Sequence, residues 1–421
     1  MKKNSKLAHL LGGIFLTIIF AGLPFITACT SKTTTTTATT TTTATTTEAT
    51  VTIGLDIPLT GPAAPYGFGV QHGFQLAADD FNSAGGITIA GTHYTIAIKS
   101  LDDKYDPTTS TNILREYIYQ DGIKFIYPFV DESDLALAPV MAQQQVFNFS
   151  PLADNAIISQ PANSYTFRTV IPLSLQDPPY FQWLVKTYPN IKSVVSICQN
   201  SSNGVTAEQI SDQAAKSVGL TTPGNILYDA GTTDFTPFLT KLLNENPDVI
   251  NMTDGTPPGD AALIIKQARA AGFKGILSET SLAAAQDMLS IAGEANLEGV
   301  VTFNLAMEAP LVSQQTLGLP AREIAKWGQA YGVTWDFYSQ ASLLFQAMKR
   351  ANSVDSTAIS NILKDPSQTW SWDAIAGGTA QFGSSSAMTI FGADGSHQIS
   401  HACMIGIIHN GVDTNASVIN P

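Results

Sequence analysis

The residues of this chain best equipped for chemistry are few and scattered. In "HQISHAC" a strand would put His397, His401 and Cys403 on one face, donor types that hold a transition metal. No second cysteine or carboxylate cluster accompanies them, so the stretch reads as a half-buried terminal strand and no metal is expected. Asp102 and Asp103 are neighbouring carboxylates of the kind that share acid–base work, yet such pairs are ordinarily solvated or cap helices. No G-x-S-x-G, G-x-x-x-x-G-K-[ST] or H-E-x-x-H occurs, which removes the nucleophile elbow, the phosphate cradle and the zinc-protease helix. The expectation is a chain that is not an enzyme and takes no cofactor.

Cys29 stands apart, in "FITACTSKTTTTTATTTTTATTTEAT". Lys2, Lys3 and Lys6 precede an apolar run from about Leu10 to Ile26, broken by Pro24 and closed by Thr27 and Ala28, which is the layout of a secretory signal over residues 1–28. A transmembrane anchor is the alternative, but the run falls short of the roughly 18 uninterrupted apolar residues that a span requires. "ITAC" looks like a bacterial lipobox, with Ile26 where leucine is usual; that implies cleavage before Cys29, lipid on Cys29 and attachment to the outer face of the cell membrane. Residues 29–50 are dominated by threonine and cannot bury a core, so they read as a disordered tether.

Composition narrows the partners. Removing residues 1–28 lowers the Lys and Arg count from 21 to 18 against 34 Asp and Glu, and the net charge from −13 to −16. Nucleic acid is an unsuitable partner for such a chain. With 44% hydrophobic and 13% charged residues, the remainder can bury one large core or two lobes. Cys198 and Cys403 lie in the apolar runs "SVVSIC" and "ACMIGII"; two such cysteines make no disulfide framework, and they read as buried free thiols.

From Val51 the apolar period switches back and forth. "VTIGLDI" reads as a strand, then Phe74, Ala77, Ala78 and Phe81 recur at helical spacing. "HYTIAIKSL" sets Tyr94, Ile96 and Ile98 on one strand face, and Ile113, Leu114, Tyr117 and Ile118 form the stripe of the next helix. "KFIYPF" and "VFNFS" are short strands flanking a helix from about Asp134 to Gln145. The series restarts after "TFRTVIPLS": strand "IKSVVSIC", a helix from Val205 to Val218, helix "DFTPFLTKLLNENP" with Phe235, Phe238, Leu239 and Leu242 inward, strand "DVINMT", helix "DAALIIKQARAAGF" and strand "KGILSE". The expected fold class is α/β, with two doubly wound parallel-sheet lobes and a ligand-sized cleft where the carboxyl ends of their strands face each other. Residues Pro320 to Leu363 read as helical, with Trp327, Tyr331, Phe337, Leu344 and Met348 apolar; the tail from Thr379 reads as β-hairpins with "GADG" as a turn.

In order along residues 51–421, "IPLTGPAAPYGFGVQHGFQLAADDFNSAGGI", "DDKYDP", "DGIKFIYPF", "VFNFSPLADNA", "YTFRT", "DAALIIKQARAAGFKG" and "LSIAGEANLEGVVTF" resemble the leucine/isoleucine/valine-binding proteins. These are the extracytoplasmic solute receptors of branched-chain and related ABC importers, with a type I periplasmic-binding fold. The resemblance implies two lobes joined by a three-strand hinge, lobe 1 from about 51–171 and 304–378, lobe 2 from 172–303 and 379–421. It implies a monomer that closes on a small polar ligand, an amino acid of the branched-chain or a related type or an amide-like compound, and presents it to permease subunits.

The same resemblance assigns a site. Tyr66 falls where an aromatic residue packs on the ligand. Glu132 falls in register with a serine that binds the ligand carboxylate, with Ser133 one step away; Leu152, Ala153 and Asp154 match a small-small-threonine segment that holds carboxylate and amine. Asn203 replaces one tyrosine and Asp254 falls near another. Glu279 matches the glutamate that accepts hydrogen bonds from the ligand's ammonium group, and Val333 or Trp335 falls where an aromatic lines the side-chain pocket. Glu132 and Asp154 are departures that would repel a ligand carboxylate unless turned away or protonated. The competing readings are a ligand-sensing receptor of the same fold, expected to continue into a membrane segment that this chain does not show before Pro421; a cell-surface hydrolase, for which no constellation is present; and a structural lipoprotein.

Overall fold

Continuous apolar runs between amphipathic helices demand parallel strands buried on both faces, and two such sheets form. The computed structural model describes residues 47–419 except 152–164, 169, 171, 305–317, 366, 369, 372–386 and 389–402. The expectations on residues 1–46, including Cys29, and those on Leu152, Ala153, Asp154, His397, His401 and the "GADG" turn lie outside the described residues; of the disordered tether expected over 29–50, the last four residues are instead strand, because Thr47 to Thr50 pair with Thr92 to Thr95.

The first sheet contains β1 (Thr47–Ile57), β2 (Ile87–Ile89), β3 (Thr92–Asp102), β4 (Phe125–Pro128), β5 (Phe147–Ser150) and β6 (Thr166–Arg168) in the order β2-β3-β1-β4-β5-β6. Only the edge strand β2 is antiparallel to its neighbour. Its helices are α1 (Ala64–Ser83), α2 (Pro107–Tyr119) and α3 (Asp131–Gln143). The predicted stripes Phe74, Ala77, Ala78, Phe81 and Ile113, Leu114, Tyr117, Ile118 are buried, each full-sized side chain contributing about 1.5–3 kcal/mol. Helix α3 begins at Asp131 rather than near Asp134, because Asp131, Glu132 and Asp134 place three carboxylates in its first turn, beside its unpaired N–H groups.

The second sheet contains β7 (Val194–Gln199), β8 (Ile226–Tyr228), β9 (Val249–Met252), β10 (Ile276–Glu279) and β11 (Val301–Asn304) in parallel. The chain's last hairpin, β14 (Cys403–His409) and β15 (Val412–Ile419), adds antiparallel to β11, giving the order β15-β14-β11-β10-β9-β7-β8. Asn410 and Gly411, both with positive φ, join this hairpin as the two-residue Asn-Gly turn that right-twisted strands favour. Between β11 and β14 in sequence, β12 (Trp370–Ser371) and β13 (Ala387–Met388) pair with each other. The second sheet carries α4 (Leu173–Thr187), α5 (Ser202–Ser217), α6 (Thr236–Asn244), α7 (Pro258–Ala270), α8 (Ala285–Ala292) and α9 (Glu294–Leu297). Cys198 in β7 is a buried free thiol, and burial pushes it up to about 12, where it is unreactive at neutral pH.

Three later helices, α10 (Leu319–Trp327), α11 (Thr334–Ala351) and α12 (Ser356–Lys364), return to the first sheet. Helix α11 lies so close along α1 that a Cβ on Gly73 would fall 2.6 Å from the Thr334 carbonyl oxygen and the Tyr338 nitrogen; only glycine fits there. Arg322 of α10 forks onto Asp80 of α1 at 2.6 and 2.9 Å, and the Tyr338 hydroxyl donates to the same carboxylate. The chain therefore passes between the sheets three times, which leaves their strand ends facing each other across a cleft.

Candidate functional site

A cavity with about 610 Å³ of empty space, the open solvent at its mouth included, lies between the two lobes. Its walls come from segments that follow strands: Tyr66 after β1, Tyr105 after β3, Phe129 and Asp131 after β4, Asp254 to Pro257 after β9, Ser281 and Leu282 after β10, with Val333 and Phe337 from the start of α11. Carboxyl ends of parallel strands are where such folds leave space and polar loop groups. Of the site expected from sequence, Tyr66, Asn203, Asp254 and Val333 line this cavity together.

Glu279, Glu132 and Ser133 are placed differently. Glu279 is fully buried, its carboxylate turned back into its own loop: Oε1 accepts from the Ser281 N–H at 2.9 Å and from the Ser281 hydroxyl, and Oε2 accepts from the Ala283 N–H at 3.0 Å. Burial pushes Glu279 well above the usual carboxylate range, against those bonds. The loop it holds includes Leu282 at φ 72°, a left-handed conformation that a leucine adopts only when its surroundings impose it. Glu132 reaches across the cleft, where Oε1 accepts from the Ser202 N–H at the start of α5 at 2.9 Å, beside another cavity. Ser133 is buried, and its hydroxyl points to the Pro107 carbonyl oxygen at 3.4 Å. Trp335 is core, stacked on Tyr338, while Val333 takes the lining position.

Contacts across the cleft among the described residues include four sets of hydrogen bonds. The Tyr66 hydroxyl donates to the Ser281 carbonyl oxygen and sits 3.1 Å from Ser281 Oγ. The Gly259 N–H donates to the Pro62 carbonyl oxygen at 3.0 Å, and a Cβ at Gly259 would meet Pro62 at that same distance. Glu132 to Ser202 is the third, and the Gly332 N–H donating to Asp287 at 3.1 Å is the fourth. Glu279 thus acts at one remove: it fixes Ser281, and Ser281 receives Tyr66 from the other lobe.

The electrostatics of the cavity are one-sided. Asp254 accepts from the Gly255 N–H at 2.9 Å and from the Asn203 amide, yet burial still raises it above the usual range. Asp177 in α4, buried near Asp254, is pushed up to about 8 by burial first and by the Asp254 charge second. The rings of Tyr66, Phe129 and Tyr105 run along one wall, successive centroids 6.0 Å apart. Sequence reasoning missed Tyr105, Tyr127, Phe129 and Asp131. The available signal was position, since Tyr127 lies next to the end of β4 and Phe129 and Asp131 come within three residues after it. Among the described residues no group of three or more His, Cys, Asp or Glu is arranged to hold a metal ion.

Residues 50–398 match the periplasmic binding protein family. The chain is 27% identical to Leu/Ile/Val-binding protein homolog 1 of Brucella suis over 75% of this chain and 83% of that protein. It is 25% identical to the leucine-, isoleucine-, valine-, threonine-, and alanine-binding protein of Pseudomonas aeruginosa, over 62% of this chain and 68% of the other. The branched-chain amino acid substrate-binding protein LivJ of Streptococcus pneumoniae, solved with isoleucine, superposes with a TM-score of 0.72 at 20% identity, covering 89% of this chain and all of that one. A solute-binding protein of R. palustris, solved with 4-hydroxybenzoate, superposes with a TM-score of 0.71 at 17% identity, covering 88% and 97%.

Proposed function

Because the chain belongs to the periplasmic binding protein family, we propose that it captures a small polar solute outside the cytoplasm and hands it to the permease of an ABC importer. The carrying observation is the cavity walled by both lobes, with both lobes hydrogen-bonded to each other around it. Closure is useful only if the ligand touches both halves, since a ligand shifts an equilibrium by its differential affinity for the two states. Tyr66 and Val333 from one side and Asn203 and Asp254 from the other meet that condition.

The solute class is that of amino acids, branched-chain or related, and amide-like compounds, in keeping with the names of the similar proteins. Leu152, Ala153 and Asp154 complete the cavity beside Pro151 in this reading. Residues 51–171 with 304–378 and residues 172–303 with 379–421 move as the two lobes. Lipid on Cys29 and the threonine tether keep them near the membrane. Thermal denaturation of the full chain, refolded to remove co-purified solute, tests the reading against a panel of amino acids and amides: a captured solute raises the midpoint by mass action and shrinks the radius of gyration in small-angle scattering. A panel that moves neither quantity refutes it.

A further inference from the structure

The described wall of the interlobe cavity is rich in acceptors and aromatic faces and holds no Lys, Arg or His. Tyr127 lines it with 1% of its surface exposed, and its hydroxyl has no hydrogen-bond partner. The Asn203 side-chain oxygen is likewise buried without a partner, its amide being turned to Asp254. Buried polar atoms left unpaired cost stability and mark places that a ligand's donors can fill. Asp254 and Asp131 also line the cavity, together with the run of Tyr66, Phe129 and Tyr105.

We infer that the solute held here is a net cation, an amine or amidinium compound without a carboxylate of its own, its head seated between Asp254, Asn203 and the aromatic wall. This rests on the solute-binding reading and replaces its amino-acid ligand class with a cationic one. An organic cation supplies N–H donors to Asn203, Asp254 and Tyr127, and its charge is attracted by ring faces as well as by carboxylates. A zwitterion fares worse, because its carboxylate would lie beside Asp254 and Asp131, and among the described residues two nearby donors are spent, leaving it the Tyr127 hydroxyl. The Ser133 hydroxyl points to Pro107, and the Gly259 N–H is given to Pro62. The first turn of α3 carries three acids. The raised positions of Asp254 and Asp177 fit two carboxylates without a basic partner among the described residues.

The test uses the full chain, unfolded and refolded to remove solute, in titration calorimetry at pH 7. The probes are L-leucine, L-leucinamide and 4-methylpentanoate, which share a side chain and differ in charge, with choline and putrescine as further cations. At least one cation is expected to bind about tenfold or more tightly than leucine and 4-methylpentanoate, and Asp254→Asn to weaken it by about tenfold, the loss of one desolvated charged contact. Asp131→Asn is the second variant, expected to act in the same direction. Leucine or 4-methylpentanoate binding as tightly as every cation overturns the inference and leaves the solute-binding reading standing. Silence from all five probes, with the fold intact by circular dichroism, overturns both.

Discussion

Replacing Asp336 by Asn should remove a pH dependence of stability that the wild-type chain carries. Asp336 lies in the first turn of α11 with 3% of its surface exposed, and its Oδ2 accepts from Gln340 Nε2 at 2.6 Å. Burial pushes it up from an ordinary 3.8 to about 7, against the pull of the Gln340 bond. The folded state thus keeps a proton that the unfolded chain gives up above about pH 4. The resulting stabilisation is fully present below that pH and falls by about 1.4 kcal/mol per pH unit until the folded carboxyl ionises near 7. Between pH 5 and pH 7 the loss is ~2 kcal/mol for this one group. Asn keeps an oxygen for Gln340 and has no proton to lose. Urea unfolding of both proteins at pH 5, 6, 7 and 8 reads the difference directly: the wild type's advantage over Asp336→Asn should shrink by ~2 kcal/mol from pH 5 to pH 7 and flatten above. Stability curves that run parallel within about 0.5 kcal/mol would refute the reasoning, because Asp336 would then ionise alike in both states.

Three further outcomes follow from the cleft. Gly259→Val drives a side chain into Pro62, so the lobes are held apart; scattering should give a larger radius of gyration while the unfolding midpoint changes little, and an unchanged radius counts against the contact. Tyr66→Phe deletes the hydroxyl that meets Ser281 from the other lobe. A hydrogen bond of about 1 kcal/mol predicts roughly fivefold weaker capture of any solute that stabilises the wild type, and equal affinity by calorimetry would sink the bridge. Glu279→Ala strips acceptors from the N–H groups of Ser281 and Ala283. It should cost about 2–3 kcal/mol in urea unfolding even without solute, since buried donors are left unpaired; a loss seen only in ligand affinity would return Glu279 to the lining.

Much of the architecture was legible because local period and burial agree. Phe74, Ala77, Ala78 and Phe81 mark a helix whichever sheet it lands on, and Val249 and Ile250 in "DVINMT" and Ile276 and Leu277 in "KGILSE" are consecutive apolar residues because parallel strands are covered on both faces. The start of α3 was less legible, since carboxylates in a first turn and carboxylates in a preceding loop look alike in sequence. The closing hairpin turned on Asn410 and Gly411, a two-residue signal that the apolar pattern around it outweighed.

The site divides along the same line. The sequence by itself determined that acids and aromatics would gather after the strands, because chain order places those segments at the carboxyl ends. It also carried the family, through matches spread along most of the chain. Only the tertiary structure decided which acids the cavity keeps. Glu279 and Glu132 are turned from the cavity to backbone N–H groups, one in its own loop and one at the start of a helix in the other lobe, whereas Asp254, itself bonded to the Gly255 N–H, and Asp131 line the wall. A carboxylate goes where unpaired buried donors are, and the position of those donors is set by how two distant segments meet.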